Sequence, residues 1–352
     1  MDTESIFAIA ERMRAAAVLA TVIGAEGHTY RKAGASMLLT ADGGAVGSIS
    51  PGCLEADLAG RVGEVLAGRR YEIAEYNLRP EEDAVWGEEI GCGGTLRILL
   101  EPLTDELRAA LGAVVRSVRG GRPARLVRRD IAGRLGYEVR PAAPSEGSAG
   151  LEVRSGAKGA AADIRPGEEG AREGADEGGR PEAGSGGEPL WESLHLPRER
   201  LILFGAGEEA AAVDELARAV GFRTVVADWR PALCAPRRFP AAETIVGDAE
   251  TIVSGLNVGA RDFVVLASHN LRRDREMYAR LVPLGPAYLG IVGSTARIDR
   301  LLEGKEPPPF VRAPVGLPIG AEGASEIAVS VTAELIACRH RLRASAGQGR
   351  SA

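Results

Sequence analysis

The 352-residue sequence has little of what marks a metal-cluster, disulfide-rich or membrane protein. Its four cysteines, Cys53, Cys92, Cys234 and Cys338, lie far apart and form no CxxC pair, so neither a zinc site nor a disulfide framework is signalled. The longest apolar run near the start, Ala15 to Ile23, is far short of the roughly twenty residues that span a bilayer. Residues 1–20 carry Asp2, Glu4 and Glu11 and place Ile6, Ile9 and Met13 at helical spacing, which suits an amphipathic helix rather than a signal peptide. A net charge of -6 removes any general electrostatic reason to bind nucleic acid or an anionic membrane. The expectation is a cytoplasmic protein with reduced thiols, no nucleic-acid partner and no membrane partner. Aromatic residues make up only 4% and are absent between Tyr137 and Trp191, where Gly, Glu, Ala, Ser and Pro dominate. Such a stretch cannot bury enough apolar surface to offset its ordering entropy, so 141–197 is expected to be a disordered linker.

What is present is enough for two cores. The length exceeds the usual single domain and 45% of residues are hydrophobic. The strongest local pattern is LILFGAGEEAAAVDELARAVGFRTVVAD, from Leu201 to Asp228. It reads as a strand, a turn at Gly205 and Gly207, an Ala-rich helix, and a second strand from Thr224 to Ala227 closed by Asp228. That is the layout of a dinucleotide-binding Rossmann unit, whose glycines allow a phosphate to approach the helix start and whose acid binds a ribose hydroxyl. Glu208 and Glu209 disturb the reading, because they put negative charge where a pyrophosphate docks. The fold class expected is α/β: an N-terminal α+β domain over 1–140, the linker, a Rossmann-like parallel-sheet domain over 198–343, and a flexible tail over 344–352.

In the first half, strands are expected at Val18 to Ile23, Ala35 to Thr40 and Ala45 to Ile49, the last two joined through Asp42, Gly43 and Gly44. SISPGCLEADL follows, in which Pro51 and Gly52 stop the strand and Leu54, Leu58, Val62 and Val65 have helical spacing. Cys53 therefore falls at or beside a helix N-terminus, where the thiolate is favoured as a nucleophile or soft-metal ligand; a small residue filling a turn is the alternative. The polar loop GAEGHTYRKAG carries Arg31, a candidate anion contact. In IGCGGTLRILLEP, glycines flank Cys92 ahead of a strand from Leu96, which suits close approach of a ligand or simply a tight turn.

In the second half, strands are expected at Thr244 to Val246, Phe263 to Ala267 and Ala287 to Val292, and helices at Ala249 to Leu256 and Ser325 to Arg341. Ser268, His269 and Asn270 follow one strand, Gly293 and Ser294 another, at the carboxyl edge where open parallel sheets bind ligands. His269 is a candidate ligand contact or proton carrier, or a structural histidine.

Taken together, the motifs ATVIGAEGHTYRKAGASMLLTADGGAVGSISPGCLEADL, GCGGTLRILLEP, LILFGAGEEA, VVADWRP, RFPAAETIVGD, VVLASHN, YLGIVGS and PVGLPIGAEGASEIAVSVTAELIA resemble the XdhC/CoxI family of accessory proteins for molybdenum hydroxylases such as xanthine dehydrogenase. The resemblance covers both halves and omits the linker. It implies a protein that binds molybdenum cofactor, protects it while a cysteine-desulfurase partner installs its terminal sulfur, and delivers it to an apo molybdenum hydroxylase. Such a protein is a maturation chaperone rather than an enzyme with turnover of its own, and a homodimer is expected. Carried over, the cysteine of the SPGC turn is Cys53, with Glu55 beside it; these are the catalytic candidates, and the reading of the residues makes Cys53 the thiolate ligand to metal or the sulfur-handling group. Arg31, Cys92, Gly205, Gly207, Asp228, Arg230, His269, Asn270, Gly293 and Ser294 are the cofactor-binding candidates. Two positions depart from the family pattern: Pro51 stands where glycine is frequent, and Glu208 where histidine is frequent. The alternative is an NAD(P)-binding oxidoreductase, in which Asp228 would favour NAD.

Overall fold

The computed structural model describes residues 2–52, 54–78, 94–142 and 189–348. Cys53 and Cys92 lie outside the described residues, as does most of the expected linker. The chain divides into two units, Met1–Leu196 and Pro197–Ala352.

In the first unit β1 (Ala17–Gly27), β2 (Ser36–Thr40), β3 (Ala45–Gly47), β4 (Glu72–Asn77) and β5 (Gly94–Pro102) form an antiparallel sheet in the order β3-β2-β1-β5-β4. Alternate strand residues point to opposite faces, so the sheet can be covered on both sides. Val18, Ala20, Val22, Ile98 and Leu100 pack with Leu58, Val62 and Val65 of α2 (Glu55–Gly68). Ala17, Leu19 and Leu38 face Ile6, Phe7 and Ala10 of α1 (Thr3–Arg12) and Leu107, Leu111 and Val114 of α3 (Asp105–Arg119). Asp2 and Thr104 cap α1 and α3 by accepting the amides of Ser5 and Leu107.

β1 is longer than the hydrophobic run that announces it. It continues through Gly24–Gly27 because its backbone stays paired to β5 beyond a register shift between Val22 and Gly24. Part of the stretch expected to be linker is folded. Pro189–His195 is a strand, β8, paired antiparallel to β6 (Ala124–Ile131), whose other neighbour is β7 (Arg134–Pro141). Burial of Trp191 and Ser193 holds β8 there. The Trp191 ring lies 4.6 Å from the guanidinium carbon of Arg128, which is fully buried against Glu101 at 2.7 Å.

The second unit is a six-stranded parallel sheet: β9 (Arg200–Phe204), β10 (Arg223–Asp228), β11 (Glu243–Val246), β12 (Phe263–Leu266), β13 (Tyr288–Ile291) and β14 (Val311–Arg312), in the order β11-β10-β9-β12-β13-β14. The near-continuous apolar runs reflect burial of both faces. Leu201, Leu203, Val226, Phe263 and Val265 pack with α4 (Glu208–Ala219) and with Ala328, Val331 and Leu335 of α8 (Gly323–Gln348). Ile202, Phe204, Val225, Val264 and Leu266 pack with α5 (Ala249–Leu256), α6 (Leu271–Leu281) and α7 (Thr295–Leu302). α8 runs past the expected Arg341 into the tail, and β14 had no sequence signal because only two of its residues pair. Strand order reverses direction between β9 and β12, so the switch-point crevice opens beyond their carboxyl ends.

Candidate functional site

In the first unit Arg31 lies in the loop between β1 and β2. Its Nη2 reaches Oγ of Ser48, the first residue of SISPG, at 3.5 Å, and its buried Nε has no partner among the described residues. Gly94, which starts β5, sits so close to the end of β1 and the residues after it that a Cβ would lie 2.3 Å from the Glu26 carbonyl and 2.8 Å from a Thr29 methyl. Glu55 does not project into open space. Its Oε1 accepts the amides of Ile49 and Ser50 at 3.1 and 2.8 Å, and its Oε2 accepts the Ser50 hydroxyl. Burial would raise its pKa, but these donors outweigh it and hold the carboxyl below the usual range.

In the second unit the turn after β9 passes under β12. Gly205 has φ 105°, and a Cβ there would fall 2.4 Å from the Ala267 carbonyl, so no other residue fits without moving backbone. Gly207 is the N-cap of α4. Asp228, fully buried, ends β10. Its Oδ2 accepts the Ala206 amide at 2.8 Å and Arg230 Nη2 at 2.9 Å, while Oδ1 accepts the Arg230 amide at 2.8 Å and Nε at 3.0 Å. Both oxygens are therefore committed inside the protein. The Arg230 guanidinium carbon in turn lies 4.4 Å from the Trp229 ring centroid.

Across the crevice, His269 follows β12 with φ 56°, an uncommon backbone for a non-glycine residue. Its Nε2 lies 3.1 Å from Glu209 Oε2 on the first turn of α4. Burial would raise the Glu209 carboxyl, but its own amide and His269 hold it below the usual range. Asn270 and Ser294 cap α6 and α7, accepting the amides of Arg273 and Arg297. Gly293 leaves room for the Arg297 side chain, whose Cδ would stand 2.8 Å from a Cβ.

One cluster at this edge had no clear sequence signal. Asp274, fully buried on α6, accepts Ser268 Oγ at 2.5 Å and Arg297 Nη2 at 2.6 Å. Arg297 Nε is buried and has no partner among the described residues. Asp274 sits in the strongly charged stretch LRRDRE, where nothing distinguishes an inward acid from solvated ones. Among the described residues no group of three or more His, Cys, Asp or Glu could hold a metal ion, and no helix is long and apolar enough to cross a membrane.

Comparison with known proteins extends over both units. A family model for the XdhC Rossmann domain matches residues 201–335, and one for the XdhC and CoxI family matches residues 10–77. A Bacillus subtilis (strain 168) protein named as a probable subunit of xanthine dehydrogenase is 33% identical over 348 residues, covering 93% of this chain and 94% of the relative. The molybdenum cofactor insertion chaperone PaoD of Escherichia coli (strain K12) is 28% identical over 333 residues, covering 92% and 83%. A crystal structure of a Bacillus halodurans protein described as a xanthine dehydrogenase aligns with TM-score 0.77 and 31% identity over 97% of this chain and 96% of that one. With this relationship running through both halves, and with a Rossmann turn at the switch point, the chain belongs to the XdhC and CoxI family.

Proposed function

We propose that this protein binds molybdenum cofactor, shelters it while a cysteine desulfurase supplies the terminal sulfur, and hands it to an apo molybdenum hydroxylase of the xanthine dehydrogenase type. It acts as a carrier without turnover of its own, as a homodimer in the cytoplasm. The relatives named for xanthine dehydrogenase and for cofactor insertion support the reading, since each aligns with both units.

The observation that carries it over an NAD(P)-binding oxidoreductase is the commitment of Asp228. In a dinucleotide site this acid faces a ribose diol; here a ribose would have to displace Arg230 from both carboxylate oxygens. An anionic pterin phosphate at the neighbouring strand end is supported by Arg297, whose buried Nε has no acceptor among the described residues. Arg297 would hold that end of the cargo. Cys53, beside the Glu55 clamp in sequence, would be the sulfur-handling thiolate or a ligand to the metal, and Arg31 a second anion contact.

The test is analysis of small molecules released from protein purified out of cells that make the cofactor. The expected result is a pterin, fluorescent after oxidation, with molybdenum. Absence of both from protein that also fails to activate an apo-hydroxylase defeats the proposal, and saturable NAD binding would revive the oxidoreductase.

A further inference from the structure

The glycine turn after β9 holds an anion of its own. A Cβ on Gly207 would lie 3.3 Å from Glu209 Oε2, so the carboxylate is folded back over the glycine whose bareness lets a phosphate approach in a nucleotide-binding turn. Two groups hold it there. The Glu209 amide donates to its own carboxylate. His269 Nε2 meets Oε2 from the far side of the crevice. The Ala206 amide, another donor of the turn, is taken by Asp228. Glu208, its neighbour on the same helical turn, is exposed and takes no part in this arrangement.

We propose that Glu209 is the specificity determinant of the switch-point crevice: its carboxylate fills the seat that a pyrophosphate takes in a dinucleotide-binding turn, and closes that turn to nucleotides. A phosphate gains the seat only by expelling Glu209 from His269 and from its own amide, or by sharing the turn with a like charge. The inference does not depend on the cofactor proposal. Its probe is a nucleotide, and it stands or falls whether or not a pterin is found.

The experiment is calorimetric titration of the full chain with ADP and with NAD, comparing wild type with Glu209→Ala, Glu209→Gln and Glu208→Ala. Wild type is expected to give no saturation at millimolar ligand, and both Glu209 variants to bind ADP at least about tenfold more tightly. Glu208→Ala removes the same charge from the same helix start and is expected to stay within about twofold of wild type. Equal gains in the Glu208 and Glu209 variants would reduce the effect to general charge and overturn the proposal. So would folded Glu209 variants that bind no better than wild type, or a wild type that already binds as tightly. The nearly isosteric Glu209→Gln decides the matter if Glu209→Ala does not fold, with circular dichroism as the control.

Discussion

Ser50 and Glu55 clamp each other across the Pro51–Gly52 turn: Glu55 takes the Ser50 hydroxyl and amide, while Ser50 Oγ accepts the amides of Gly52 and Leu54, both at 3.1 Å. A partly buried carboxylate receiving several donors at once is a structural brace, because removing it leaves all of them unpaired. Glu55→Ala is expected to destabilise the first unit by about 1–3 kcal/mol in urea unfolding, with Glu55→Gln less affected. An alanine variant as stable as wild type would leave Glu55 free for a chemical role.

Asp228 makes a second brace, and its titration has a sign. Burial would raise its pKa, but hydrogen bonds from Arg230 and the amide of Ala206 hold it below the ordinary carboxylate range. A depressed folded-state pKa contributes stability that is present above the unfolded value and lost as pH falls through the folded one. Asp228→Asn is expected to destabilise the second unit by about 2–4 kcal/mol near neutrality and to flatten its loss of stability in strong acid. Equilibrium unfolding across the acid range measures both.

His195 titrates in the same direction for a different reason. Desolvation, and then the positive charge of Arg128, depress its pKa from 6.5 to about 3. The ring packs 5.1 Å from Phe7 and its Nε2 lies 2.9 Å from Ser193 Oγ. Between those two pH values the unfolded chain binds a proton that the folded one refuses, so stability falls as pH drops through this window, by at most about 1.4 kcal/mol per pH unit. His195→Gln is expected to remove that slope in denaturant titrations between pH 6 and pH 4, taken as roughly the middle of the window.

The two glycines of the Rossmann turn should respond differently to alanine. Gly205→Ala forces a Cβ onto the Ala267 carbonyl from a left-handed backbone, and a loss of about 2–4 kcal/mol in thermal or urea unfolding is expected. Gly207 has φ -73° and meets only the end of the Glu209 side chain, so Gly207→Ala is expected to cost less than about 1 kcal/mol. Similar losses for the two would contradict the geometry of the turn.

The elements most legible in the sequence are those whose local signals agree. The β9 turn shows an apolar run, two glycines and an acid at the right distance, and α5 follows its apolar spacing, so its bounds are as expected. β8 was not legible, because PLWESLH sits at the end of a long polar stretch and becomes a strand only by pairing with β6 and covering Arg128. The Arg128–Glu101 pair, 101 being on β5 and 128 on β6, likewise has no signal along the chain.

The sequence by itself determined the alternation of elements, the glycine turn and the family, because periodicity, turn chemistry and motif order are written in neighbouring residues. Only tertiary structure decided what the candidate side chains are bonded to. Asp228 turns to Arg230 and Ala206, Glu209 meets His269 from another strand end, and Asp274 joins Ser268 to Arg297. The Glu209–His269 and Asp274–Arg297 contacts form between residues far apart in the chain, brought together when parallel strands align their carboxyl ends, and a buried charge takes whichever partner that alignment supplies.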